Sequence, residues 1–285
     1  MIPEYVDIHA HLNFAAFEVD REEVIKRALD AGVWMVNVGT QKNTSKAALD
    51  LAEKYERGIY AIVGLHPIHT SKSYHDEQEL GGGEGFTSRG EVFEGELYKS
   101  MAMKPKVLAI GECGLDYFNI DNEEAVDKQM SEFKKQIELS IEVGKPLMLH
   151  LRNSKIRSAY KDAFNILKSY VADFKIPVPA NLHFFAGNTD EAKPFLDLGC
   201  TFSFTGVITF TRDYDEIIKY LPMEQILSET DCPYVAPEPF RGRRNEPMHV
   251  REVVKQIAEV RGISLEKTRE SIGRNARRLF GAAFQ

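Results

Sequence analysis

The chain has 285 residues, of which 43% are apolar and 28% are charged, and its net charge at pH 7 is −7. These values are ordinary for a globular protein, and the negative charge argues against a broad basic surface that binds nucleic acid. No run of eighteen apolar residues exists and MIPEYVDIHAHL lacks the features of a secretion signal, so we expect no membrane contact and a cytoplasmic location, or a nuclear one in a eukaryote.

Helical patterns along the chain end at a glycine that is followed almost at once by a strand pattern. The first helical pattern begins at Asp20 and ends at Gly32, before the apolar run VWMVNVG. Later helical patterns end in the same way at Gly58, Gly144 and Gly199. Glycine is favoured there because the residue that closes a helix often adopts the left-handed conformation. The sequence therefore predicts a repeated unit of helix, glycine and strand.

Eight strands are predicted in chain order: YVDIH, VWMVNV, IYAIVG, VLAIGE, PLMLH, NLHFF, CTFSF and ILSETD. Several are continuous apolar runs, as expected for a parallel sheet covered by helices. We predict a closed (β/α)8 TIM barrel forming one domain over residues 1–285, with LEKTRESIGRNARRLFG as an extra C-terminal helix. An open doubly wound sheet is the alternative, but no glycine-rich phosphate motif follows an early strand.

One segment interrupts this alternation. Residues 71–100, after the third strand, are rich in glycine and acidic residues, and they are longer than a normal connection and too polar for a core. In a barrel this segment lies on the rim that carries active sites. We expect a surface insertion, with a lid over the site as the alternative.

Polar residues occupy the carboxyl-terminal parts of the predicted strands. They are His9 and His11 in strand one, His66 after strand three, Glu112 in strand four, His150 in strand five, His183 in strand six and Asp231 in strand eight. Each alone is compatible with an ordinary packed or solvated polar residue. Together they would be costly to bury unless paired or bound to metal, and barrel closure brings strand eight beside strand one. The pattern therefore predicts a metal site on one rim.

Nitrogen and oxygen ligands point to zinc, manganese or magnesium, because the three cysteines show no C-x-x-C spacing. A single catalytic ion usually takes three protein ligands, so this set fits two divalent ions better. We assign to the first ion His9, His11 and Asp231 and to the second ion His150 and His183, with Glu112 as the bridging ligand. Such a pair of ions predicts hydrolysis, with Asp231 as the general base.

The motifs in this order resemble the TatD-like metal-dependent deoxyribonucleases of the barrel amidohydrolase group. They span nearly the whole chain: DIHAHL, GLHP, AIGECGLDY, PLMLHLRNS, the His183 strand, LSETDCPY, RGRRNEP and NARRLFG. The resemblance implies that the same six residues bind metal and that the enzyme hydrolyses DNA, trimming single strands from a 3′ end. Phe184 departs from the pattern, since the family commonly has a small residue after this histidine.

Other readings of the metal site remain open. A metal-dependent hydrolase of a small amide, ester or lactone would use a similar centre, although Glu112 stands where amide-cleaving barrel enzymes often have a modified lysine. A barrel that has become a binding protein would have lost ligands, and none of the six is lost. No obligate protein partner is inferred.

Candidate substrate-binding residues lie near the same rim. His66 follows strand three, and Arg152 shares the face of His150 because strand side chains alternate. The loop PFRGRRNEP after strand eight carries Arg241 and Arg243 beside Arg244, and arginine suits bidentate phosphate contacts. Aromatic residues after strand four, Tyr117 and Phe118, are expected either to stack on a base or to pack at the rim.

Overall fold

The computed structural model describes residues 3–284, apart from residues 72–73, 76–78, 80–85, 88–89, 119, 121 and 175–179. Eight parallel strands pair in sequence order. They are β1 (Tyr5–Ala10), β2 (Val33–Val38), β3 (Ile59–Val63), β4 (Val107–Asp116), β5 (Leu147–Arg152), β6 (Ala180–Leu182), β7 (Thr201–Phe204) and β8 (Ile226–Ser228).

The sheet closes just beyond β8, where the chain returns to β1. The Asp231 N–H donates to the His9 carbonyl at 2.9 Å, and the His11 N–H donates to the Cys232 carbonyl at 2.9 Å. Ala10 and Cys232 form a parallel bridge between these bonds. This seam confirms the predicted barrel and joins the two chain segments that carry His9, His11 and Asp231.

Each strand is followed by a helix of the same number. These helices are α1 (Arg21–Asp30), α2 (Lys42–Glu53), α3 (Gly95–Ala102), α4 (Glu123–Val143), α5 (Ala159–Phe174), α6 (Thr189–Asp197), α7 (Asp215–Tyr220) and α8 (Val250–Arg261). Helix α4 is capped at both ends. The Asn122 side chain accepts a hydrogen bond from the Ala125 N–H at 2.8 Å before its first turn, and Gly144, with φ 66°, follows its last turn. The left-handed conformation at Gly144 is the one predicted from the sequence.

The predicted extra helix is α9 (Leu265–Phe280), which packs against β1 and β8. Ile272 and Ala276 are buried on its inner side, and burying a side chain such as Ile272 stabilises the fold by about 1.5–3 kcal/mol. The Asn275 side chain donates to the Met223 and Ile226 carbonyls, each at 2.8 Å. Helix α9 is thereby fixed to the start of β8.

The segment 71–100 differs in part from its prediction. Tyr74–His75 and Phe86–Thr87 form a two-residue antiparallel ribbon, but from Phe93 onward the chain belongs to the barrel. Phe93 and Tyr98 are buried and their rings stack at 4.4 Å, so the expectation of a segment too polar for a core is wrong for this part. Helix α3 was overlooked because glycine and acidic residues surround its short apolar stripe. The alternative, a lid over the site, involves residues 72–73, 76–78, 80–85 and 88–89, which lie outside the described residues.

Helices and strands enclose a single hydrophobic core among the described residues. In β1 to β4 every residue is buried, which agrees with strands covered on both faces. In the described part of the chain, no helix combines the length and the apolar character needed to cross a membrane.

Candidate metal centre at the carboxyl ends of the strands

The seven polar residues singled out in the sequence all lie at one end of the barrel. They are His9 in β1, His11 after β1, His66 after β3, Glu112 in β4, His150 in β5, His183 after β6 and Asp231 after β8. Five of them are buried, whereas His150 and Asp231 are partly exposed. The cluster therefore opens to solvent on the side of these two residues.

Four imidazoles surround the carboxylate of Glu112. Its Oε1 lies 2.7 Å from His183 Nε2, 2.9 Å from His150 Nδ1 and 3.2 Å from His66 Nε2, while Oε2 lies 3.3 Å from His9 Nε2. Burial disfavours the charged carboxylate, but the imidazoles outweigh it and hold the pKa of Glu112 well below its usual value. The two oxygens thus face different groups of histidines.

The group on the Oε2 side consists of His9, His11 and Asp231. The Nε2 atoms of His9 and His11 are 3.1 Å apart, and Asp231 Oδ1 lies 3.3 Å from His11 Nε2 and 3.7 Å from His9 Nε2. Burial lowers the pKa of His9 to about 3, so its ring is neutral. His9 Nδ1 is buried without a hydrogen-bond partner among the described residues. These three side chains can hold a metal ion.

The proton on His11 is fixed by its backbone partner. His11 Nδ1 lies 2.9 Å from the carbonyl of Val38, and a carbonyl can only accept a hydrogen bond. In the neutral ring Nδ1 therefore carries the proton, and Nε2 presents a lone pair toward His9 and Asp231. This is the arrangement that a metal-ligating histidine requires.

On the Oε1 side, His150 and His183 each lie beside a second carboxylate. His150 Nε2 lies 2.8 Å from Asp116 Oδ2, within a hydrogen bond, whereas His183 Nδ1 lies 3.3 Å from Glu229 Oε1 as an ion-pair contact without hydrogen-bond geometry. Each contact leaves the other ring nitrogen facing Glu112, and these two nitrogens are 3.2 Å apart. A carboxylate behind each ring matches the outer shell of histidine metal sites.

The acidic partners also set the charge of these rings. Burial opposes protonation of His150, but its hydrogen bonds with Asp116 and Glu112 raise its pKa to about 9. Burial likewise opposes ionisation of Asp116, yet the contact with His150 lowers the pKa of Asp116 to about 2. Glu112 and Glu229 together raise the pKa of His183 well above its usual value, against the effect of burial.

Asp116 was not identified from the sequence. Glu229 shares the strand face of Asp231 by the period of two, and the sequence alone allows it to be either a site residue or an inner barrel residue. Asp116 lies four residues beyond Glu112, and β4 continues to it, whereas the predicted strand ended at Glu112. The period of two would have placed both carboxylates on one face. Glu229 is fully buried and accepts from the Phe184 N–H at 2.7 Å and the Ser203 hydroxyl at 2.6 Å.

His66 differs from His11 in the ring nitrogen that carries the proton. Its Nδ1 accepts a hydrogen bond from the Ile68 N–H at 3.1 Å, which a protonated nitrogen could not do. Burial lowers the pKa of His66 to about 4, so the ring is neutral and Nε2 carries the proton. Nε2 therefore points a donor at Glu112. This favours a hydrogen-bonding role for His66 over metal ligation. By distance alone, two further groups of side chains could hold a metal ion: His66 with Glu112 and His150, and His9 with Glu112 and His183.

Close packing of two strands positions His150 beside Glu112. Gly114 has φ 136°, and a Cβ on it would lie 2.2 Å from the His150 carbonyl oxygen. Only glycine allows β4 and β5 to approach this closely. Phe184, which follows His183 after β6, has a φ of 43°, a left-handed conformation that costs a residue such as phenylalanine about 1–2 kcal/mol. Asp231, after β8, also has a positive φ, of 54°. Such strain is typical of functional sites.

The predicted substrate-binding arginines lie at the rim in exposed positions. The Arg152 guanidinium lies over the Phe118 ring at 3.7 Å, and that of Arg241 lies over the Phe210 ring at 3.6 Å. Arg243 is exposed in the same loop as Arg241. All three are accessible to a substrate that approaches the cluster.

Two other rim candidates are structural. Arg244 donates to both Asp20 carboxylate oxygens, at 2.8 and 2.5 Å, and lies over the Phe17 ring. Tyr117 is buried and its hydroxyl lies 3.2 Å from Asp162, so it packs in the wall and does not face a base. The guanidinium of Arg244 and the hydroxyl of Tyr117 are therefore engaged by other residues of the fold and not by a substrate.

Residues 6–281 match the family model described as TatD related DNase. The TatD homologue YjjV from Escherichia coli, a solved structure, has 26% identity and a TM-score of 0.78, and the match covers 99% of this chain and 100% of that one.

Two curated relatives match almost the full length of this chain. The metal-dependent hydrolase YabD of Bacillus subtilis, described as uncharacterized, is 35% identical over 96% of this chain and 98% of its own. The 3′-5′ ssDNA/RNA exonuclease TatD of Pantoea ananatis is 33% identical over 96% of this chain and 98% of its own.

Proposed function

The chain belongs to the TatD-related DNase family and is a metal-dependent hydrolase, and we propose that it uses two divalent ions to hydrolyse DNA from the 3′ ends of single strands. The observation that carries this proposal is the carboxylate of Glu112, which turns one oxygen to each group of histidines. The direction and the single-stranded substrate are supported by the activity named for the Pantoea ananatis relative. We propose no obligate protein partner for this activity.

The residues present fit a pair of divalent ions. His9, His11 and Asp231 would hold the first ion and His150 and His183 would hold the second, with Glu112 available to both. Four imidazoles favour zinc or manganese over magnesium. When bound, the ions neutralise charge on the attacking and leaving oxygens and lower the pKa of water.

The remaining steps belong to side chains of this protein. Asp231 accepts the proton of the attacking water, since its side chain is 13% exposed and lies at the solvent-facing side of the cluster. His66 keeps its Nε2 proton and offers it as a hydrogen bond, to Glu112 in the free protein and to a phosphate oxygen of bound substrate, because the Ile68 N–H fixes the tautomer that makes this nitrogen a donor. Asp116 and Glu229 hold His150 and His183 in position.

Arginines at the rim supply the local positive charge that a protein of net charge −7 needs for a phosphate substrate. Arg243 contacts the phosphate backbone from the loop after β8. Arg152 and Arg241 lie near the same opening, each with its guanidinium against a ring. Phosphate binding is therefore confined to the mouth of the barrel.

The proposal is tested on protein stripped of metal with a chelator. A single-stranded oligonucleotide labelled at its 5′ end should stay intact until Mg²⁺, Mn²⁺ or Zn²⁺ is added, and should then shorten stepwise from its 3′ end on a sequencing gel. Absence of any ion-dependent product, whatever the structure of the DNA end, would overturn the proposal. Turnover of a small amide, ester or lactone while DNA stays intact would support the alternative hydrolase.

A further inference from the structure

Exposed apolar side chains gather on the rim that carries the metal centre. Six of the nine large apolar residues that are exposed in the described part of the chain lie in loops that follow barrel strands: Val19, Ile68, Val92, Phe118, Ile156 and Phe210. Two of these are aromatic, and each aromatic ring carries an arginine on one face. We call Arg152 with Phe118, and Arg241 with Phe210, the rim pairs.

The first rim pair is fixed to the metal cluster by a short chain of bonds. Phe118 is 54% exposed, and its backbone N–H donates to Asp116 Oδ1 at 3.0 Å. The other oxygen of Asp116 contacts His150 Nε2 at 2.8 Å. Arg152 lies two residues beyond His150 in β5. The ring and its guanidinium are therefore held next to the histidine by one carboxylate.

The second rim pair stands beyond β7 and β8, three strands away around the barrel. Phe210 is 38% exposed, and the Arg241 guanidinium lies 3.6 Å from its ring centre. The two loops are joined because the Glu238 N–H donates to the Thr209 hydroxyl at 2.9 Å. This pair borders the side of the cluster where Asp231 is found, so the two pairs flank the opening.

We propose that each rim pair is a stacking platform for one unpaired base of the nucleic-acid strand whose end enters the metal centre. A base stacks on a ring or on a guanidinium plane, and the edge of the guanidinium remains free for the adjoining phosphate. Bases inside a duplex already stack on each other and cannot occupy such a platform. This inference rests on the proposed function, and it assigns the selection of single-stranded ends to Phe118 and Phe210.

The test removes each ring and keeps its apolar volume. In Phe118→Leu and Phe210→Leu, KM for an oligothymidylate of about ten nucleotides should rise roughly five- to hundredfold, because stacking on one ring contributes about that much to binding. The loss should exceed any loss on methyl 4-nitrophenyl phosphate, which has no base. Phe118→Tyr should restore KM, since tyrosine keeps the ring.

Matched controls separate stacking from general effects. Val19→Ala removes another exposed apolar side chain of the rim, 98% exposed, and should leave KM unchanged. An abasic nucleotide at the contacted position should weaken binding to the wild type and cause no further loss in the leucine variants, as expected for two halves of one interaction. Inorganic polyphosphate, which has phosphates without bases, should compete equally well with every variant.

Two outcomes would overturn the inference. One is a KM for the leucine variants that equals the wild-type value, and the other is an equal loss of binding to polyphosphate and to the oligonucleotide. If the wild type hydrolyses no DNA, the proposed function fails by itself. In that case, fluorescence anisotropy of the labelled oligonucleotide measures its binding to the same variants and controls, and so tests the stacking role of Phe118 and Phe210 without catalysis.

Discussion

Glu112→Ala lowers kcat on single-stranded DNA by at least about a thousandfold while the protein stays folded. Losing one buried partner of a transition-state charge already costs about 10²–10³ in rate, and this carboxylate serves both histidine groups. Folding is retained because the imidazoles that contact Glu112 can lose their protons once the carboxylate is gone, so no charge is left buried without a partner. Steady-state kinetics and circular dichroism measure the two effects.

Glu132→Gln is the matched control for a buried glutamate away from the centre. Glu132 is 4% exposed on α4 and accepts from the Phe93 N–H at 2.8 Å, a bond that glutamine retains. Its kcat should equal that of the wild type. Near-normal turnover by Glu112→Ala would show that the bridging role is wrong.

Asp231→Asn lowers kcat by about 10²–10⁴, the usual contribution of a general base. Asparagine keeps an oxygen that can ligate a cation, but it cannot take a proton from water. Metal content should therefore change less than the rate. Atomic emission of the purified variant, together with its kcat under saturating metal, measures both quantities.

The two roles given to Asp231 can be separated by the same data. A variant that keeps its metal and loses its rate supports the general base. A variant that loses metal and regains its rate at high metal concentration restricts Asp231 to ligation. Wild-type kcat with full metal content would contradict both roles.

The barrel could be predicted from the sequence because two local signals agree along the chain. The apolar runs of the strands have no polar face, and each helix pattern ends at a glycine such as Gly32 or Gly144, which both have positive φ. Helix α3 was missed because only a few apolar residues, among them Tyr98 and Met101, mark it in a polar segment. A short helix needs tertiary packing to form, and that packing is not visible in a local pattern.

The side chains of the candidate centre were also found from position, since the carboxyl end of a parallel strand always reaches the same rim. His9, Glu112 and His150 needed only correct strand ends. Asp116 was missed because β4 continues four residues beyond Glu112, which no local signal reveals. The tautomer of His66 depends on the Ile68 N–H in the folded chain. A hydrogen-bond partner of this kind can be identified only in the folded structure.

The arginines show a similar division between sequence and structure. The motif RGRRNEP identified a basic loop, but three neighbouring arginines in it could not be told apart. In the structure Arg244 is bound by Asp20, whereas Arg241 lies on Phe210 and Arg243 is exposed. The three arginines differ because different segments pack against them. Asp20, just before α1, contacts Arg244, whereas Phe210, in the loop after β7, contacts Arg241, and both segments are distant from these arginines in sequence.

The most direct measurement of the central claim is anomalous diffraction from crystals soaked in Mn²⁺ or Zn²⁺. Two peaks about 3.5–4 Å apart are expected, one among His9, His11 and Asp231 and the other at His150 and His183, with Glu112 between them. A single peak, or peaks away from these side chains in crystals of active protein, would contradict the two-ion centre.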